Sequence, residues 1–274
     1  MSRPASATSS GACHEHASGA VTSGWRWDRL AHRPLHRLQV GAVRDGTPEI
    51  VLVPGLGALG YLRPLIRACA AWTRVHLLDV PGFGHARTAH CRATLAGVTA
   101  DVAAWLDLAA EAVPVGAPVL LVGHSTGAQV ALHATLARPA RVTTLVLAGP
   151  TFPPEARRWR SLAARVARTV PHEHPGIVPV VAAQYLRGRT RVLSLLRTGM
   201  ADAPDAVVGR VTCPVTVVRG ARDAVCPAPW AATLAARAVR GRCLTVPGAH
   251  NFPYQAPLPA ARALRIAARG GDPA

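Results

Sequence analysis

Two hydrophobic rhythms take turns along this chain. Compact apolar runs at 35–43, 49–53, 74–79, 117–122, 142–148, 214–219 and 242–246 predict strands. Longer stretches with apolar residues every three or four positions predict helices over 63–72, 95–112, 128–138, 230–239 and 259–269. The segment 95–112 carries the clearest helical face, with Leu95, Val98, Val102, Leu106 and Ala109 in line. Strands that are apolar at nearly every position are those buried on both faces of a parallel sheet. Strands alternating with helices therefore predict the α/β class, a doubly wound, mostly parallel sheet. Arg44-Asp45-Gly46-Thr47-Pro48 joins the first two strands and carries a hairpin signal. The sheet is accordingly expected to open on an antiparallel hairpin of 35–43 with 49–53.

The alternation fails in two places. Residues 1–24 are rich in Ser, Ala, Gly and Thr and lack an apolar core, which reads as a disordered tail rather than a secretory signal. Glu15 and the missing amphipathic pattern also set it apart from a transit peptide. From Pro150 to Val208, Pro and Arg cluster and the helical patterns are short, the best being 157–169 and 180–198. An inserted helical lid over 150–208 is expected, with the core built from 25–149 and 209–274.

Composition narrows the function classes. The 274 residues are half hydrophobic, enough for one large domain core. No apolar run approaches the roughly 18–20 residues of a membrane span. The formal charge of +17 comes from 31 basic residues, all Arg. They are scattered rather than gathered in a stripe, so compositional bias explains them better than a nucleic-acid footprint. Cysteines stand at 13, 69, 91, 213, 226 and 243 without a C-x-x-C pair. Free thiols in a reducing cytoplasm are the expectation, with Cys69 and Cys213 as small core residues.

The chemistry concentrates at Gly123-His124-Ser125-Thr126-Gly127, between a predicted strand and a predicted helix. In that setting G-x-S-x-G lifts the serine hydroxyl above the sheet on a sharp turn. A serine needs a base, and the base needs an orienting acid. In a parallel sheet such groups arrive after strand ends. Asp223 follows the strand 214–219 and His250 follows 242–246, so the order Ser125, Asp223, His250 fits. Glu155 is the best substitute acid; Asp101 and Asp107 fall within a helix and Asp205 within the insert. His124 adjoins the serine but is expected to point away, and His85 and His90 lie in an early loop. Acyl transfer also needs oxyanion donors. The backbone N–H groups of Thr126 and Leu56 are the candidates.

Val53-Pro-Gly-Leu-Gly57, Asp79-Val-Pro-Gly-Phe-Gly84, the Ser125 pentapeptide, Cys213-Pro-Val with Arg219-Gly-Ala-Arg-Asp223, and Val246-Pro-Gly-Ala-His-Asn-Phe-Pro253 together resemble the α/β-hydrolase superfamily. The likeness is nearest to its cap-bearing branch of esterases and carbon–carbon bond hydrolases and covers roughly 35–270 apart from the insert. It implies Ser125 as nucleophile, Asp223 as acid, His250 as base, and Leu56 and Thr126 as oxyanion donors. One departure is Pro54-Gly55, where the family usually has His-Gly.

Three other signals compete. Gly55, Gly57 and Gly60 form G-x-G-x-x-G, with Asp79 ending the next strand, as in a dinucleotide-binding unit of an NAD(P)-dependent oxidoreductase. His14-Glu15-His16 and His172-Glu173-His174 have metal-like composition without further ligands nearby in sequence. The insert's arginines, among them Arg157, Arg160, Arg165 and Arg189, read as a solvated face, with an anionic-substrate gate as the alternative. Apolar residues of the insert, namely Leu162, Val166, Val181, Leu193 and Leu196, are expected to cover the pocket. The reading is a serine hydrolase of an ester-like or carbonyl-containing small molecule, needing no metal or organic cofactor. A non-catalytic ligand-binding protein on the same scaffold is the alternative. Oligomeric state is open.

Overall fold

The computed structural model describes residues 22–31, 33–83, 91–112 and 118–270. Eight strands form one sheet: β1 (Thr22–Leu30), β2 (Arg33–Gly41), β3 (Glu49–Val53), β4 (Val75–Leu78), β5 (Val119–His124), β6 (Thr144–Ala148), β7 (Val215–Gly220) and β8 (Gly241–Val246). Their spatial order is β1-β2-β4-β3-β5-β6-β7-β8, antiparallel at β1/β2 and β2/β4 and parallel elsewhere. β3, β4, β6 and β7 are buried at every position, as their unbroken apolar runs require.

Helices α1 (Arg63–Ala70), α2 (Leu95–Ala112) and α3 (Thr126–Ala137) connect the first parallel strands. Between β6 and β7 come α4 (Trp159–Thr169), α5 (Ile177–Gly188), α6 (Thr190–Met200) and the short α7 (Pro204–Val207). α8 (Ala228–Arg237), α9 (Phe252–Gln255) and α10 (Pro257–Ala268) complete the chain. Two apolar layers result, one on each face of the sheet. Val102, Trp105, Leu132 and Trp230, from α2, α3 and α8, pack in one; Leu65, Ile66, Ala263 and Leu264, from α1 and α10, pack in the other. Among the described residues no helix is long and apolar enough to cross a membrane.

The opening hairpin differs from expectation. β2 pairs with β1 and β4, whereas β3 pairs with β4 and β5. The Asp45-Gly46 turn forms, with Thr47 N–H donating to Arg44 O at 3.0 Å, but it joins strands that do not touch. Both edges of the buried β3 are needed by parallel neighbours, so β4 takes the place the turn alone would give to β2. The hairpin partner is β1, whose first three residues fall inside the expected tail. Its two tryptophans share a face and close on His36, Trp25 stacking at 4.5 Å.

The expected helix 180–198 is two helices. The chain breaks at Arg189, where φ is 47° and ψ is −131°. Gly188 permits the crossing: a Cβ there would come within 2.4 Å of the Val192 side chain and 3.0 Å of Phe83. Cys69 and Cys213 are buried, and the described cysteines are free thiols. Cys13 lies outside the described residues.

Leu121 is fully buried in β5, between β3 and β6. Leu121→Ala is expected to cost about 2–5 kcal/mol, read as a fall in urea midpoint at unchanged slope.

Candidate active site

The chain leaves β3 toward β4 on one side and returns to β5 on the other, so the strand order reverses at the β3/β5 pair. A crevice opens there beyond the carboxyl ends of the strands. Ser125 stands in it, between β5 and α3, with φ 57° and ψ −126°. This conformation is strained for a side-chain-bearing residue. Its flanking glycines are enforced by contact. A Cβ on Gly123 would meet Gly127 O at 2.0 Å, and one on Gly127 would meet Val53 O at 2.4 Å. Gly55, just past β3, leaves room for the serine itself: a Cβ there would lie 2.7 Å from Ser125 Cβ.

Three sequence candidates meet at this point. Ser125 Oγ lies 2.9 Å from His250 Nε2, and His250 Nδ1 lies 2.8 Å from Asp223 Oδ2. Asp223 is buried, and its other oxygen accepts the N–H groups of Val225 and Cys226, both at 2.9 Å. Gly149, after β6, is the floor under the pair, since a Cβ would come within 3.4 Å of the His250 ring and 3.5 Å of the Asp223 carboxylate.

Electrostatics follow from this packing. Burial opposes charge on Asp223, but the His250 charge and hydrogen bond outweigh it and bring the carboxyl below its ordinary value. Burial likewise opposes an imidazolium at His250, yet Asp223 prevails and raises the ring above 6.5.

Thr126 begins α3, so its N–H has no carbonyl one turn back and faces the serine side of the helix end. Leu56 is held at φ 48° in the short turn Gly55–Gly57. Its N–H donates to Thr126 Oγ1 at 2.8 Å. The two proposed donors thus sit side by side, the second already engaged by the first residue's hydroxyl.

The other candidates go elsewhere. Glu155 is largely exposed and faces Arg165 at 3.6 Å. Asp101 pairs with Arg33, Asp107 with Arg138, and Asp205 with Arg157. His124 accepts or donates only sideways: its Nδ1 meets Tyr61 Oη at 2.8 Å and its Nε2 meets His250 O at 2.9 Å. Tyr61 Oη also accepts Gly55 N–H at 2.9 Å, so its proton goes to His124 Nδ1 and His124 donates to His250 O through Nε2. Burial keeps His124 neutral, its pKa pushed down to about 3. His85 and His90 lie outside the described residues.

The glycine loop spends its N–H groups within the protein. Gly55 N–H goes to Tyr61, Leu56 N–H to Thr126, Ala58 N–H to Gly55 O, and Leu59 and Gly60 N–H to Gln184 Oε1 of α5. A pyrophosphate would need those donors. His14-Glu15-His16 lies outside the described residues. In the second such triplet, Glu173 Oε1 accepts from the backbone and side chain of Asn251 at 2.9 and 3.0 Å, beside His250. Among the described residues no cluster of three metal-ligating side chains occurs.

A cavity of about 260 Å³ opens over the serine. Leu162, Val166 and Leu196 line it, joined by Phe152, Tyr185 and Val225. Leu193, expected among them, is 57% exposed, and Val181 of α5 packs with the α1 layer instead. The break at Arg189 rotates α6 away from the single-helix register that sequence periodicity implied. Several insert arginines are committed locally, Arg157 to Asp205 and Arg191 to Cys91 O. Tyr61, Gly149 and Glu173 escaped the sequence reading; only Glu173 had a signal, its place in a polar triplet.

Comparison with known proteins agrees with this fold. The model of the alpha/beta hydrolase family matches residues 50–263. A pimeloyl-[acyl-carrier protein] methyl ester esterase of Vibrio campbellii is 34% identical over 122 residues, covering 43% of this chain and 44% of that protein. The chain therefore aligns with less than half the length of that relative. The esterase of the same name from Xanthomonas oryzae pv. oryzae is 25% identical over 236 residues, covering 76% of this chain and 89% of that one. Among solved structures, a hydrolase from Pseudomonas aeruginosa superposes with a TM-score of 0.69 at 22% identity, over 90% of this chain and 98% of that one.

The imidazole carbon resonance of His250, followed by NMR against pH, should titrate above 6.5. Asp223→Asn removes the larger of the two charges that raise it and leaves only Glu173 to oppose burial, so the midpoint should move to lower pH. An unchanged midpoint would refute the electrostatic account.

Proposed function

The chain belongs to the alpha/beta hydrolase family, and on that premise we propose that this hydrolase cleaves an ester-like small molecule through an acyl-enzyme on Ser125. The observation that best supports the reading is the unbroken line from Asp223 Oδ2 through His250 to Ser125 Oγ. Ser125 Oγ bonds to the carbonyl carbon as its proton passes to His250 Nε2, and the carbonyl π pair moves onto oxygen. Asp223 fixes the Nδ1–H tautomer and balances the imidazolium. Collapse of the tetrahedral centre expels the alcohol, which takes the proton from His250. Water then attacks the acyl-enzyme by the same path, releasing the acid. Thr126 N–H receives the oxyanion, and the Leu56 N–H lies beside it, donating to Thr126 Oγ1. These steps use no metal or organic cofactor.

The cavity limits the acyl group. Among the described residues its lining holds no Arg, Asp or Glu, so a charged acyl terminus would be buried without a partner there. At about 30 Å³ per water-sized group, a volume of 260 Å³ admits roughly eight or nine non-hydrogen atoms. A neutral, short to medium acyl chain on a small alcohol fits. The Vibrio and Xanthomonas relatives are named for a methyl ester, the smallest such alcohol. We read 150–208 as a lid, because three of its helices contribute the apolar wall over the serine.

Ser125→Ala should lower turnover of p-nitrophenyl butyrate by about 10⁴-fold or more while the thermal midpoint stays close to wild type. Equal rates, or wild-type protein that resists a fluorophosphonate probe, would overturn the assignment and favour a binding role. Across p-nitrophenyl esters, kcat/KM should fall steeply once the acyl chain exceeds about eight carbons.

A further inference from the structure

The Leu56 N–H is already occupied. It donates to Thr126 Oγ1 at 2.8 Å, so the second backbone donor of the oxyanion site does not point freely into the cavity. A hydroxyl that accepts one hydrogen bond still has its own proton to give. Apart from the Leu56 contact, no hydrogen bond of this hydroxyl is found among the described residues. Thr126 lines the cavity beside Ser125 and His250.

The side chain is not free to swing away. Thr126 is buried at the start of α3, and its methyl packs toward Gly199 of α6, where a Cβ would come within 3.5 Å of Cγ2. Gly199 is itself hemmed in, because the same Cβ would lie 3.0 Å from Phe152. With the methyl directed at α6, the hydroxyl is left on the Leu56 side. Leu56 is in turn fixed at φ 48° in a turn anchored by Gly55 N–H on Tyr61. Both partners of the 2.8 Å bond are held by neighbours that the bond does not involve.

We propose that the Thr126 hydroxyl is a catalytic oxyanion donor, and that Leu56 acts on the oxyanion through it. This rests on the serine-hydrolase reading above and deepens it. As Ser125 Oγ adds to the carbonyl carbon, the new negative oxygen accepts two hydrogen bonds from one residue, the Thr126 N–H and the Thr126 O–H. The Leu56 N–H withdraws electron density from Thr126 Oγ1 by donating to it, which makes that O–H a stronger donor. No bond of Thr126 breaks and its proton is not transferred. The donor is set before substrate arrives, and preorganisation of this kind is what makes oxyanion stabilisation effective. The arrangement also gives a reason for a β-branched hydroxyl residue next to the nucleophile, where a backbone donor alone would accept any side chain.

The test compares Thr126→Val, which keeps shape and removes the hydroxyl, with Thr126→Ser, which keeps the hydroxyl and removes the methyl. With p-nitrophenyl butyrate, Val should lower kcat by about 100-fold with KM nearly unchanged, and Ser should stay within about tenfold of wild type. An alkyl trifluoromethyl ketone, which adds to Ser125 Oγ and places an alkoxide in the same site, should lose affinity for the Val variant by the same factor as kcat. Thermal midpoints of both variants identify any loss that is merely unfolding. Val at or above the wild-type rate would overturn the proposal, since the hydroxyl would then only mask Leu56. Val and Ser falling equally would overturn it as well, because the contact with Gly199 would be what matters. Ser125→Ala assayed alongside reports on the nucleophile: inactive Ser125→Ala with active Val leaves the serine reading standing and removes only the hydroxyl's role.

Discussion

The backbone of Ser125 is the constraint on which the site depends. Holding a serine at φ 57°, ψ −126° costs about 1–3 kcal/mol, and the surroundings must outweigh it. They do so from four sides. β5 is paired along its length with β3 and β6, and α3 leaves at once into a buried layer. Ser125 N–H donates to Ala148 O at 2.9 Å, tying the turn to the end of the next strand. Gly123 and Gly127 allow strand and helix to touch backbone to backbone, so the turn cannot relax without separating them. The strain lifts the hydroxyl out of the sheet, and packing keeps it there.

From that turn a buried polar chain reaches both other parts of the site. His124, one residue before the serine, donates to the carbonyl of His250 and accepts from Tyr61, whose oxygen accepts Gly55 N–H. His250 and the Gly55–Gly57 turn are therefore indexed to the same turn as Ser125. Each member of the chain has its donors and acceptors matched, which a buried network requires to be stabilising. Glu173 adds a second hold on the histidine loop from outside, through Asn251.

What the sequence made legible, and what it hid, divides along a physical line. Parallel strands buried on both faces announce themselves as apolar runs, and the α/β class follows from their alternation with helices. Ser125 and Asp223 could be picked out because each follows such a run, and His250 because it follows the short apolar stretch of the half-exposed edge strand β8. The β1/β2 hairpin was hidden because an edge strand such as Trp25-Arg26-Trp27-Asp28 carries as much charge as apolar surface. The Asp45-Gly46 turn misled because a turn specifies its own geometry and not which strand lies beside which. Arg189 broke a periodic helix where no Pro or positional Gly signal was decisive. Tyr61 and Gly149 were invisible, and Glu173 was noticed only as part of a polar triplet, for another reason: their roles exist only between elements far apart in sequence, and no local pattern encodes a distance to His250.

The same sheet carries a second buried histidine–carboxylate pair, and the two ends differ in one respect. At the opposite, amino end of β3 and β4, His76 Nε2 donates to Glu49 Oε2 at 2.6 Å. Its Nδ1, however, lies 3.0 Å from Arg37 Nη1, which can only donate. The lone pair that a general base would use is therefore filled by a cation. Burial lowers the His76 pKa, and Arg37 pushes the same way against Glu49. Arg37 is held in turn by Asp28, which also accepts Trp105 Nε1–H at 2.7 Å. Every group at that end has a fixed partner of opposite character, so the cluster closes on itself as structure. At the carboxyl end His250 has the same carboxylate support on one nitrogen, but its other nitrogen meets a neutral hydroxyl facing a cavity. A buried imidazole–carboxylate pair is common to both ends; what distinguishes the site is that its remaining lone pair has a proton to take.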